Sequence, residues 1–403
     1  MAVAQHYTVC MSSTGEILHK WRGALNQSAA AKQSAAARQS TDIKSSAISS
    51  AISSAIKGRG ALSNRGSRYL ARQVETEPEY AGPAPGTEYS RESAKTIIAR
   101  NQSPDIPFEQ SINPYRGCEH GCVYCYARPS HAWLDLSPGL DFETRLSYKH
   151  NAAALLEQEL REPGYRVSAI TLGANTDPYQ PMEKQFRITR QLLEVLQRFR
   201  HPFSIITKGN LVTRDIDILA EMAADNLCSV AISVTTLDRD LKRAMEPRTP
   251  AGEVRLQTIE QLAKAGIPAN LLLAPVIPAL NDSEIETILE QAAGAGAASA
   301  SYILLRLPLE IRELFHEWLH QHYPLRAEHV ISLIQQSRGG KDNDSRFGHR
   351  MRGTGAFADL IAQRFAIACK RLGLRHGRED YQASLDPRQF TVPPQTGDQF
   401  TLF

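Results

Sequence analysis

Arg116-Gly117-Cys118-Glu119-His120-Gly121-Cys122-Val123-Tyr124-Cys125-Tyr126 is the stretch on which the fold turns. Its cysteines are spaced C-x3-C-x2-C, with an aromatic residue just before the third. Three thiolates at this spacing can hold three irons of a [4Fe–4S] cube and leave the fourth iron open, whereas a fourth Cys would close the cluster for electron transfer alone. Gly117 and Gly121 suit a loop that wraps tightly round such a centre. Its backbone N–H groups can donate to cluster sulfurs and tune the potential. The rival is a zinc site of three Cys with His120 or His131, but zinc modules usually pair two short-spaced couples and here there is one triplet.

The other cysteines, Cys10, Cys228 and Cys369, are scattered. This is metal-site usage in a reducing compartment, not a disulfide framework. Hydrophobic residues make up 42% and charged residues 22% of the 403, an ordinary globular balance. No segment approaches the ~20 apolar residues of a membrane helix. Met1 to Gly15 lacks the basic and apolar regions of a secretory signal, so a cytoplasmic location is expected.

Charge is uneven. Residues 1–74 carry ten Lys/Arg against two Asp/Glu, a balance of +8; the remainder, 36 against 41, carries −5. A basic head suits either an anionic partner or a solubilising tail. Within it, residues 25–56 repeat Gln-Ser-Ala-Ala-Ala and Ser-Ala-Ile units, too poor in large apolar groups to offset the entropy of ordering. Lys57 to Arg72 reads as a nucleic-acid contact or a solvated arm, and residues 77–90 as a linker. The expected division is an extension and linker over 1–94, largely disordered, a core over 95–309, and a helical extension over 310–403.

From residue 95 onward apolar runs alternate with helical patterns. Strands are expected at 108–112, 167–172, 203–207, 228–234, 269–274 and 300–305. Helices are expected at 188–199, 216–224, 254–265 and 283–293. Strands alternating with helices imply βα units and a parallel sheet, and continuous apolar runs imply strands covered on both faces. Six such units make an α/β fold, an open, partial (β/α)6 barrel, with its site at the C-terminal ends of the strands. Further helices are expected at 310–321, 328–336 and 355–372. The basic, glycine-rich stretch Arg338 to Gly353 would either seat a phosphate-bearing substrate or serve as a flexible surface connection.

Two more stretches fall where strands end. Gly173-Ala174-Asn175-Thr176-Asp177-Pro178-Tyr179-Gln180-Pro181-Met182-Glu183 follows the second strand, and Lys208 and Ser233 end the third and fourth. With the cysteine triplet they make the chain similar to the radical S-adenosylmethionine (SAM) superfamily, and within it to the spore photoproduct lyase-like branch. The resemblance covers about residues 95–370. It implies a [4Fe–4S] cluster on Cys118, Cys122 and Cys125 whose open iron binds SAM through its amino and carboxylate groups. Reductive cleavage would then give methionine and a 5′-deoxyadenosyl radical that abstracts hydrogen from a substrate. It also implies a reducing donor of flavodoxin or ferredoxin type and a nucleic acid as the leading substrate. It places Thr176 and Asp177 at SAM, Lys208 against the carboxylate, Ser233 against polar groups, and Tyr124 against the adenine, with Tyr124 and Tyr126 able to relay hydrogen atoms. Arg248, after the fourth strand, would meet the carboxylate or form a surface pair with Glu246 or Glu253. The lyase places a hydrogen-donating Cys three residues before the motif Asp; this chain has Ala174, so thymine-dimer splitting does not carry over. The competing class is a non-catalytic nucleic-acid-binding protein with a structural metal, whose affinity would fall steeply with salt.

Overall fold

The structure, a computed structural model, describes residues 56–69, 86–376 and 385–395, all in the unit Ser53–Phe403. The repeats of residues 25–55 lie outside the described residues. Among the described residues ten strands occur in chain order: β1 (Glu88–Glu92), β2 (Ile98–Arg100), β3 (Gln110–Ile112), β4 (Tyr115–Arg116), β5 (Arg145–Lys149), β6 (Ile170–Leu172), β7 (Phe203–Thr207), β8 (Cys228–Ser233), β9 (Ala269–Val276) and β10 (Ser299–Leu304).

The larger sheet runs β10-β9-β8-β7-β6-β3-β2. All neighbours are parallel except β2, which pairs antiparallel with β3. The six parallel strands with their crossover helices are the expected partial (β/α)6 barrel. Every residue of β8 is buried, as a strand covered on both faces requires. Ile170, Leu172, Phe203, Ile205, Val230 and Ile232 join the main core. The alternate positions carry hydroxyls: Ser111, Thr171, Ser204 and Ser229 are in register across four strands, and Thr171 and Ser204 bond at 2.9 Å. In the helix Ile188–Arg198, Ile188, Leu192, Leu193, Val195 and Leu196 are buried, and full burial of each such side chain stabilises by about 1.5–3 kcal/mol.

The barrel is open between β10 and the β2–β3 edge, and the C-terminal extension bridges the gap. Leu304 N donates to Met351 O at 2.9 Å. Arg338 donates to the carbonyls of Leu304, Leu305, His349 and Arg350 at 2.7–3.1 Å. Across the opening, Arg350 Nε meets Asp105 Oδ2 at 2.6 Å and Gly348 N meets Oδ1 at 2.7 Å, on the loop between β2 and β3. The stretch 338–352 is therefore a fastened wall of the mouth, not a loose connection. Its arginines are largely spent on carbonyls and on Asp105 and Asp344.

The N-terminal boundary also differs from expectation. A second sheet, β1-β5-β4, draws in residues 88–92, expected to be linker. Residues 57–69, expected to be a solvated or nucleic-acid-binding arm, pack on the core. Arg59 is buried and donates to Glu143 O at 2.9 Å. Arg65 Nε meets Glu317 at 2.8 Å and Arg68 meets Glu310 at 2.5 Å. The acids on and just before the helix Ile311–His322 neutralise arginines that the sequence leaves without partners.

Candidate functional site

The cysteine loop leaves β4 and is held from all sides by backbone. Cys118 N donates to Phe142 O at 2.9 Å and Val123 N to Met245 O at 3.1 Å. Gly117 and Gly121 have φ of 71° and 70°. A Cβ on Gly117 would lie 2.5 Å from Leu146 Cδ2, and one on Gly121 would lie 2.8 Å from the Glu143 carboxylate, so both space and dihedral require glycine. Gly60 of the N-terminal arm lies against the same turn: a Cβ there would meet Gly121 O at 1.8 Å.

Beneath the loop is a fully buried ion pair. Arg128 Nη2 and Glu143 Oε1 are 2.5 Å apart, both with 0% exposure. Arg128 also donates to Cys122 O at 2.8 Å and to the carbonyls of Pro138 and Gly139. Glu143 accepts from Gly60 N and Ala61 N at 3.0 and 2.8 Å. Such a pair holds only when its remaining lone pairs and protons are satisfied, as here.

The polar stretch after β6 braces the loop. Gln180 Oε1 accepts from Glu119 N at 2.9 Å and its Nε2 donates to Gly117 O at 3.1 Å. Thr176, buried, donates its hydroxyl to Tyr115 O at 2.9 Å. Asp177 accepts from Tyr179 N, Thr207 Oγ1 and Lys208 N at 2.6–2.9 Å, and His120 Nδ1 stands 3.3 Å from its Oδ2. Burial would raise the Asp177 carboxyl, but His120 and the donors from β7 bring it down to about 2. The four acceptor positions of a carboxylate are thus taken, and Asp177 organises the mouth. Glu183 receives Tyr115 Oη and, at 2.7 Å, Arg214.

Tyr124 and Lys208 converge on one acid that sequence reasoning missed, and Ser233 is tied to it only through Arg255. Glu246, fully buried, accepts from the Tyr124 hydroxyl, from Thr235 Oγ1 at 2.7 Å and from the Arg255 guanidinium. Burial would raise its carboxyl; Arg255 and Lys208 overcome this and lower it to about 2. Lys208 Nζ lies 3.9 Å from Glu246 and 5.9 Å from the centre of the Tyr124 ring. Arg255 also donates to Ser233 O at 3.0 Å. The local signal for this acid is the sequence Glu246-Pro247-Arg248, a carboxylate just before a proline in the connection after β8.

Arg248 is placed elsewhere. It pairs with Glu119 of the cysteine loop and donates to Gly58 O at 3.1 Å, so its partner is neither Glu246 nor Glu253. Glu119 also accepts from Tyr89 Oη on β1 at 3.0 Å, which ties the second sheet to the loop. Tyr126, half exposed, donates its hydroxyl to Ala174 O, across the mouth at the end of β6. Cys228 is buried at the far end of β8 and takes no part.

The donor set suits an iron–sulfur centre. Cys118 and Cys122 are each 7% exposed and Cys125 is half-buried, packed between the apolar groups round the other two. Burial pushes all three thiols up, and neighbouring sulfurs add to this for Cys118 and Cys122; a metal takes them as thiolates. Among the described residues no three Cys, His, Asp or Glu side chains come close enough to hold a single ion. A cube does not ask for that, since each thiolate takes a different iron.

Residues 112–292 match the family model of the Radical SAM superfamily. An uncharacterized protein of Mycobacterium tuberculosis is 40% identical over 231 residues, 56% of this chain and 68% of that protein. One from Methanocaldococcus jannaschii is 29% identical over 221 residues, 55% of this chain and 78% of that protein. In fold, the chain is similar to spore photoproduct lyase, solved in complex with a dinucleoside spore photoproduct. The TM-score is 0.51 at 15% identity, over 70% of this chain and 79% of that one. Cysteine triplet, parallel partial barrel and relatives agree: the chain belongs to the radical SAM superfamily and is a radical SAM enzyme.

Proposed function

We propose that Cys118, Cys122 and Cys125 bind one [4Fe–4S] cluster, and that Tyr124, Thr176, Lys208 and Ser233 seat SAM at the ends of β6, β7 and β8. The cluster and SAM, when bound, supply a 5′-deoxyadenosyl radical that takes a hydrogen atom from the substrate. The chain's part is positional. Glu246 fixes the Tyr124 ring through its hydroxyl, ready to pack on an adenine. Lys208 offers an ammonium to a carboxylate, and Ser233 a hydroxyl at the end of β8. Asp177 and Gln180 hold the loop and the strand ends in register, and Thr176 contributes from a site where its hydroxyl is already bonded to Tyr115 O. Arg248 fits as a clamp on the loop through Glu119. Tyr126, whose hydroxyl reaches Ala174 O at the end of β6, would relay a hydrogen atom between SAM and substrate. A flavodoxin- or ferredoxin-type protein supplies the electron, and a nucleic acid is the leading substrate class. No helix among the described residues is long and apolar enough to cross a membrane.

One observation carries this reading: the three thiols, two buried and one half-buried, lie in a loop that Gln180 and, through His120, Asp177 tie to the C-terminal ends of the parallel strands. The test is anaerobic reconstitution with iron and sulfide, then dithionite and SAM, with 5′-deoxyadenosine quantified. The nucleoside is expected from the wild-type chain and not from Cys118→Ala. Stoichiometric zinc with no nucleoside formed would sink it.

A further inference from the structure

Arg306 follows β10 by two residues, at the mouth of the barrel. It is partly buried, and its Nε has no hydrogen-bond partner. Its Nη1 makes a 3.5 Å contact with Met351 Sδ, a weak acceptor. Among the described residues it forms no ion pair. The charged groups round it are Arg350, Arg338 and Asp105, with the neutral Tyr126 phenol also in its neighbourhood. Arg350 and Gly348 N already occupy Asp105, and Arg338 is spent on four carbonyls. Arg306 is therefore a partly desolvated cation with an unmet N–H and, among the described residues, no salt-bridge partner: Asp105, the acid that acts on it, is already held by Arg350 and Gly348, an arrangement that costs free energy unless something else supplies the acceptor.

The neighbourhood indicates what that is. Tyr126, half exposed, reaches the end of β6 with its hydroxyl and is near enough for Arg306 to act on it electrostatically. Phe347 is 58% exposed, with the Arg350 guanidinium 4.8 Å from its ring centre. A guanidinium offers a planar fork of donors matched to two oxygens of one oxyanion. Burial and the nearby Arg350 cation both lower the Arg306 pKa, yet a guanidinium stays charged at neutral pH.

We infer that Arg306 is the anchor for an oxyanion, a phosphate or carboxylate group, carried by the substrate that enters the barrel mouth. That the bound molecule is a substrate rests on the radical SAM reading above; that the site takes an oxyanion does not. The anchor holds the substrate beside Tyr126. The wall 338–352 holds the chain on which Arg306 sits, because Arg338 and Met351 both bond to the end of β10 and Met351 Sδ touches Arg306 Nη1.

The test is isothermal titration of the full, reconstituted chain with inorganic phosphate and, separately, with acetate, using wild type, Arg306→Gln and Arg306→Lys. Saturable binding of phosphate or of acetate is expected in the wild type, and the stronger of the two names the oxyanion. Arg306→Gln should weaken it by roughly tenfold or more, about 1.4 kcal/mol, and Arg306→Lys, keeping charge without the fork, by less. If Arg306→Gln does not fold, Arg306→Lys carries the comparison, and an affinity equal to wild type then counts against the anchor. No binding to wild type, or equal binding to wild type and Arg306→Gln, overturns the proposal. 5′-Deoxyadenosine formation by the wild-type chain is scored separately: its absence with anion binding intact removes the radical reading and leaves the anchor.

Discussion

Gln180 closes round Cys118: its amide oxygen takes the N–H after that cysteine and its amide nitrogen gives to the carbonyl before it, at 2.9 and 3.1 Å. One side chain, launched from the end of β6, thus fixes both peptide groups flanking a proposed iron ligand. Gln180→Ala would leave a buried N–H and a buried C=O unpaired, at about 1–3 kcal/mol each. Iron and sulfide bound after reconstitution should fall to less than half of wild type. Full iron content with an unchanged cluster spectrum in Gln180→Ala would remove Gln180 from the support of the loop.

The Arg128–Glu143 pair joins the same loop to the N-terminal arm. Glu143→Gln leaves the Arg128 guanidinium buried without its anion, a loss of about 3–5 kcal/mol. Chemical denaturation should show this. The double variant Arg128→Met/Glu143→Leu should lose less than the sum of the single changes, because no charge is left unpaired. Additive losses would mean that the two residues act independently.

Asp177 and Lys208 are adjacent across the mouth but should fail differently. Asp177→Asn turns an amide N–H toward donors that now point at carboxylate oxygens, so it should cost about 2 kcal/mol of stability. Lys208→Gln removes a 3.9 Å contact with Glu246 and a ring contact while Arg255 still pairs with that acid, so stability should fall less than in Asp177→Asn. SAM affinity, by equilibrium dialysis, should nevertheless fall by roughly tenfold, the worth of about 1.4 kcal/mol. The reverse pattern would exchange the two roles.

The parallel strands were legible because doubly covered strands write themselves as continuous apolar runs; β7 falls at Phe203–Thr207, where Phe203-Ser204-Ile205-Ile206-Thr207 reads as strand. The cysteine triplet was legible because its spacing is local. β1 was not: Glu-Tyr-Ser-Arg-Glu is almost wholly exposed and carries no apolar alternation, and its partner β5 lies beyond the cysteine loop. Arg65 and Arg68 read as free charge because their acids belong to the helix region 310–317, a long-range pairing that composition cannot disclose. Arg128, Glu143, Glu246 and Arg255 were missed because charged residues are presumed exposed, and these four are almost fully buried.

Acid should act on the site through Glu246. Its carboxyl is lowered from 4.5 to about 2 in the folded chain, while the unfolded chain titrates near the ordinary value. Between those values the unfolded state binds the extra proton, so stability rises with pH. The contribution is complete above about 4.5 and is lost as pH falls through about 2. Glu246→Gln cannot titrate. The stability difference between wild type and Glu246→Gln should therefore be largest near neutral pH and shrink as the wild-type carboxylate takes up its proton. Urea unfolding of both proteins across the acid range measures it. A difference that stays constant as pH falls would mean that Glu246 is not held as a carboxylate by Arg255 and Lys208.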